Sequence, residues 1–171
     1  LMDELESELA PRDELLESKV RWMRASLETD AGRWEVAARH LQSVQEVVAL
    51  YEGAAWPHPV IQLAELEIHR GEVGHARELL AGCRELAERQ PDALAALEAV
   101  LGVAARVSGD VGGSIAQFAA AEKIGEASGL REPTTLWWRA DFVEVLLESG
   151  RVDDAIALLD AWEAAARRLG R

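Results

Sequence analysis

The sequence predicts an all-α protein of eight helices paired into four stacked αα-hairpins, and three observations carry that reading. Alanine, leucine, glutamate and arginine dominate, aromatic residues make up only 5% of the chain, and the dominant types lose little side-chain freedom in a helix. One hexapeptide frame recurs four times at a period near 40 residues, the spacing of a helix pair. Pro59, Pro91 and Pro133 each stand before an apolar-periodic run, where proline suits the first helical turn.

The frame reads glycine, a polar residue, tryptophan or valine, two variable residues and a small residue. Its copies begin at Gly32, Gly71, Gly109 and Gly150, at intervals of 39, 38 and 41 residues. A glycine just past a helix takes the left-handed conformation that ends it, and the apolar residue two positions later begins the next helix. Five residues after each glycine, Ala37, Ala76, Ser114 and Ala155 are small, which lets paired helices cross closely. Four residues further on, Leu41, Leu80, Phe118 and Leu159 put a larger apolar group on the same face.

The elements follow in order. A helix at 12–30 begins after Pro11 and stops before Gly32, and its partner at 34–51 opens on Trp34. The helix at 58–70 starts beside Pro59 and ends at Gly71; its partner at 73–89 holds Cys83 in a position that suits a small buried hydrophobe. A helix at 91–108 opens on Pro91 and ends at Gly109, followed by one at 111–128. The last pair spans 133–149, from Pro133 to the glycine at 150, and 152–169. Each hairpin exposes apolar faces that only a neighbour covers, so the four should stack into a right-handed superhelix with a concave side lined mainly by first helices. Residues 1–10 form an acidic N-terminal segment, and 11–171 a single repeat domain.

The turn and second helix at Gly71-Glu72-Val73 through Ala76 and Leu80, and at Gly150-Arg151-Val152 through Ala155 and Leu159, resemble those of tetratricopeptide repeats. The repeat is longer than the family's standard of 34 residues, and the first-helix tryptophan and tyrosine signature is largely missing. The long repeats, the alanine and arginine richness, the Trp137-Trp138-Arg139-Ala140-Asp141-Phe142-Val143-Glu144 segment and the terminal Ala165-Ala166-Arg167-Arg168-Leu169-Gly170-Arg171 look like the helical-repeat region of large actinobacterial LuxR-type ATP-dependent transcriptional regulators. In that class a nucleotide-binding module precedes the repeats and a helix-turn-helix reader follows. The resemblance implies a sensor or scaffold role in transcription regulation.

Charge excludes one partner class. With 18 Lys+Arg against 31 Asp+Glu and a net charge of −13, the segment lacks the clustered cations that neutralise a nucleic-acid backbone. One cysteine permits no intrachain disulfide, and no apolar stretch approaches the ~20 residues that span a bilayer. A cytoplasmic protein without direct membrane or nucleic-acid contact is expected.

Catalytic chemistry finds no foothold. The Gly109 to Gly113 cluster lacks the lysine and hydroxyl of a phosphate-binding loop. His40, His58, His69 and His75 show no metal-ligand spacing, and Cys83 has no second cysteine to complete a zinc set. Ser108 and Ser114 lack a nucleophile elbow. No cofactor, metal or catalytic residue is expected.

A binding surface is expected instead on the concave side. The inward stripe of the first helices carries Lys19, Trp22 and Ser26, then His58, Ile61, Glu65 and His69, then Ala96, Ala99, Val103 and Arg106, then Trp137, Ala140 and Glu144. From it, Trp22, His58, Glu65, His69, Arg106, Trp137 and Glu144 are the candidate groove residues, suited to a ligand with an apolar or ring-bearing body and polar handles. The alternative is that Trp22 and Trp137 simply pack between helices. The lysine and asparagine clamp with which some repeat domains hold a C-terminal carboxylate is absent from the matching places. Two readings compete: a non-enzymatic sensor or scaffold segment that binds an effector or another domain of a multidomain regulator, and a free-standing adaptor that binds a protein helix or peptide. A homo-oligomer formed through the terminal hairpins stays open.

Overall fold

All four frame glycines adopt left-handed backbone, with φ of 72° at Gly32, 89° at Gly71, 80° at Gly109 and 77° at Gly150. Each closes the preceding helix by the same pair of bonds. At the second turn, the Gly71 amide donates to the Ile68 carbonyl at 3.0 Å and the Glu72 amide to the Glu67 carbonyl at 2.8 Å, which satisfies carbonyls the helix itself leaves open. The computed structural model describes residues 14–49, 56–130 and 135–168. The acidic segment at 1–10, Pro11 and Pro133 lie outside the described residues.

Eight α-helices and no strand occur among the described residues. They are α1 (Glu14–Asp30), α2 (Trp34–Ala49), α3 (His58–His69), α4 (Val73–Ala87), α5 (Pro91–Val107), α6 (Val111–Ala127), α7 (Arg139–Glu148) and α8 (Val152–Arg168). Consecutive helices pack as four hairpins, and α3 also packs on α5. The glycine cluster after α5 is a helix start, where the Asp110 carboxylate accepts from the Gly113 amide at 2.8 Å.

The frame's small residues are where the helices meet. Ala37, Ala76 and Ser114 are fully buried and Ala155 is 1% exposed. Leu41, Leu80 and Phe118 pack beside them, and Cys83 is buried as expected. In the third hairpin the approach is so close that a Cβ on Gly102 would stand 3.1 Å from the Phe118 ring, and that ring stacks on Phe142 at 5.5 Å. A second, smaller cluster of Ala25, Ala37, Ala38, Leu41, Leu63 and Leu66 joins the first two hairpins.

Two expectations are corrected. Leu159 occupies the frame's apolar place yet is 44% exposed, with Ile156 and Val152 exposed one and two turns before it on the same face of α8. No further hairpin covers that face among the described residues. At the other end Met23 and Leu27 of α1 are likewise exposed. The seventh helix, expected over 133–149, begins only at Arg139. Trp138 and Arg139 are held there by Glu122 of α6: the Trp138 indole Nε1 donates to its carboxylate at 2.8 Å and the Arg139 guanidinium pairs with it at 2.7 Å. This anchor fixes the chain in a turn just before the helix.

Enlarging Ala76 or Ala155 to leucine should overpack these crossings and destabilise by roughly 1–3 kcal/mol, whereas Ala164 is exposed and should tolerate leucine. Urea melts of the three variants check this, with Ala164→Leu expected to be the mildest.

Candidate functional site: the concave cleft

The first helices of the hairpins put one stripe each around a common cleft. Trp22, Ser26, Thr29 and Asp30 come from α1, His58, Ile61, Gln62 and Glu65 from α3, Ala96 from α5, and Trp137 from the turn before α7. The spacing of three and four residues within α1 and α3 sets each group on one helical face. The cleft encloses about 420 Å³, and no residue of a second helix lines it.

Polar contacts tie its walls together. Gln62 Nε2 donates to Ser26 Oγ at 3.2 Å, joining α1 to α3. His58 Nε2 lies 3.2 Å from Asp92 Oδ2, joining α3 to α5. The Trp22 ring meets Trp56 edge-on at 5.1 Å and lies 6.0 Å from the His58 ring. Trp22 Nε1 and His58 Nδ1 are buried and have no hydrogen-bond partner among the described residues. A buried N–H left without an acceptor costs about 1–3 kcal/mol, and none is present for the Trp22 indole among the described residues.

Trp137 reaches the cleft because its neighbour is fixed. Trp138 is 1% exposed, and Trp137 packs edge-on against it with ring centroids 6.0 Å apart. Both Trp22 and Trp137 are half-buried, which fits groove walls better than core anchors.

Glu65 makes no hydrogen bond or ion pair among the described residues. Burial, reinforced by the negative Asp141 carboxylate, pushes its pKa up to about 7. Asp141 is itself raised, mainly by burial, with Arg106 and His69 opposing and Glu144 adding to the rise.

The remaining candidates serve other contacts. Arg106 does not line the cleft: it reaches from α5 to α7, pairing with Glu144 at 2.8 Å, Glu148 at 2.5 Å and Asp141 at 3.5 Å. Glu144 is engaged in that network, and Glu148 is held below its ordinary range by the Arg106 guanidinium. The His69 ring lies against Trp34 at 5.9 Å, at the far end of α3 from His58. Thus Trp22, His58, Glu65 and Trp137 come together, while His69, Arg106 and Glu144 border the group. Sequence reading missed Asp141, although it lies three residues before Glu144 on the same face of α7, and it missed Asp30. No group of three or more histidine, cysteine, aspartate or glutamate residues among the described residues is placed to hold a metal ion.

No protein-family model matches the chain, and no match was found among curated proteins. Solved structures share its fold. A crystal structure of BtubC (BKLC) from P. vanneervenii is similar with a TM-score of 0.69 at 19% identity, over 96% of this chain and 68% of that one. A crystal structure of a Rap protein complexed with Competence and Sporulation Factor is similar with a TM-score of 0.53 at 17% identity, over 97% of this chain and 57% of that one. The chain therefore spans 68% of the first of these chains and 57% of the second, and its fold is of the helical-repeat, tetratricopeptide-like class. No described helix is long and apolar enough to cross a membrane.

The Glu65 carboxyl holds its proton more tightly in the folded state than in the unfolded chain, where it titrates near 4.3. The unliganded protein should therefore lose stability as pH rises from about 4.5 through 7. Glu65→Gln should flatten that slope and be the more stable protein at pH 8 by about 1–3 kcal/mol. Chemical denaturation at several pH values checks this, and parallel slopes for parent and variant would contradict it.

Proposed function

We propose that the protein is a non-enzymatic binding module whose concave cleft receives a segment of a partner. The observation that carries this reading is a cleft between the first and last hairpins, lined by the rings of Trp22, His58 and Trp137 and by the carboxyl of Glu65. A groove of mostly apolar walls with a few fixed polar groups is the usual form of a recognition site, and half-buried tryptophans provide large contact area at low entropic cost. The Rap structure offers a parallel, since that repeat protein was crystallised with a separate factor bound.

The wider setting we infer is a sensor or scaffold segment, a single repeat domain over 11–171, within a cytoplasmic LuxR-type ATP-dependent transcriptional regulator, as the texture of the Trp137 to Glu144 segment suggests. There the occupant is another domain of the regulator or a small effector, and its binding biases the array between states. The full gene decides between this setting and a free-standing adaptor: a nucleotide-binding motif upstream and a helix-turn-helix downstream support the regulator.

Ala96 lines the cleft without belonging to the fully buried core, so Ala96→Phe should fill the space while the helices keep their packing. In a screen of peptides and ring-bearing metabolites read by tryptophan fluorescence, ligands of the parent should lose at least about tenfold in affinity for Ala96→Phe, roughly 1.4 kcal/mol, with a melting temperature within a few degrees of the parent. Unchanged binding to a folded Ala96→Phe protein would remove the cleft from consideration.

A further inference from the structure

The geometry points to an arginine side chain as the cleft's occupant: we propose that the guanidinium of a partner segment enters between Trp22 and Trp137 toward Glu65. This rests on the cleft being the binding surface and adds the chemistry of what it holds.

Charge comes first. Asp30 and Glu65 line the cleft, and Asp141 bears on Glu65 from α7. Among the described residues no lysine or arginine lines it, and the guanidinium of Arg106 is already paired with Asp141, Glu144 and Glu148. An anionic ligand would meet two carboxylates with no cation to offset them, whereas a cationic one supplies the counter-charge that the half-buried Glu65 lacks. The aromatic walls select further among cations. A guanidinium is planar, weakly hydrated and stacks on indole faces, and its fork of N–H donors meets a carboxylate side-on. Size favours a single side chain: about 420 Å³ lies near the lower end of the range for ligand pockets, roughly 300–1,000 Å³, too small for a helix laid along the groove.

The charged groups around Glu65 set the pH response. Asp141 faces it from α7, Asp30 stands across the cleft on α1, and His58, with Asp92 of α5 upon it, lines the same wall on α3. Arg106 and His69 act on Asp141. A bound guanidinium favours the ionised carboxylate, so affinity should increase as pH rises through about 7.

The test titrates the whole chain with the peptide acetyl-Gly-Arg-Gly-amide and with its citrulline counterpart, which keeps the shape and loses the charge, by tryptophan fluorescence and calorimetry. The arginine peptide should bind at least about tenfold more tightly than the citrulline peptide. Its affinity should rise several-fold between pH 6 and 8 in the parent and stay flat in Glu65→Gln. Circular dichroism confirms that each variant is folded. Equal affinity for the two peptides, abolished by Ala96→Phe, would overturn the arginine assignment while leaving the cleft as the binding surface. No saturable signal from the arginine peptide up to about 10 mM, or parent-like affinity and pH response in folded Glu65→Gln, would overturn it as well.

Discussion

The structure depends on one local coupling: a glycine in left-handed backbone, followed five residues later by a residue too small to hold two helices apart. The glycine reverses the chain at the end of each first helix, and the small residue fixes how near the returning helix lies. Gly71 and the fully buried Ala76 show both halves of the device within one hexapeptide, and the same pairing recurs at Gly32 and Ala37, Gly109 and Ser114, and Gly150 and Ala155. Because each residue beyond the turn inherits the crossing this sets, the coupling governs where the next hairpin lies.

Repetition of that crossing brings distant parts of the chain together. Trp22 of the first hairpin and Trp137 at the entrance to the fourth line one cleft although more than a hundred residues separate them. The inner helices then present polar and aromatic side chains to a shared space, and the second helices carry the close-packed crossings. The Glu122 anchor adds a constraint the repeat does not encode. By holding Trp138 and Arg139 it ends the turn one residue beyond Trp137, which leaves that ring on the cleft wall.

Much of the fold was legible because its signals are local. Glycine position, small-residue spacing and proline starts are each set by a few neighbouring residues, and the helix starts at Trp34, His58, Val73, Pro91, Val111 and Val152 follow from them. What was not legible depended on partners remote in sequence. The late start of α7 rests on Glu122, 17 residues before Arg139, and nothing in the apolar run Leu136-Trp137-Trp138 distinguishes a helical turn from a tighter one. The exposure of Leu159 depends on the absence of a covering hairpin among the described residues, which its own frame cannot signal. For the cleft, phase on the first helices selected Trp22, His58 and Glu65, whereas Trp137 lines it from a turn and not from the helix expected there. It could not separate them from Arg106 and Glu144, since a helical stripe gives a direction and not the ion-pair partner that occupies a charge.

The most direct measurement of the coupling replaces Gly71 by each enantiomer of alanine through semisynthesis and compares stabilities in urea. A methyl group there meets no heavy atom within 4 Å in the L configuration, so the difference reports backbone conformation alone. At a φ of 89° the L-alanine protein should be about 1–2 kcal/mol less stable than the D-alanine protein. Equal stability of the two, or a more stable L-alanine protein, would contradict a left-handed residue at the turn and with it the geometry from which the hairpin array is built.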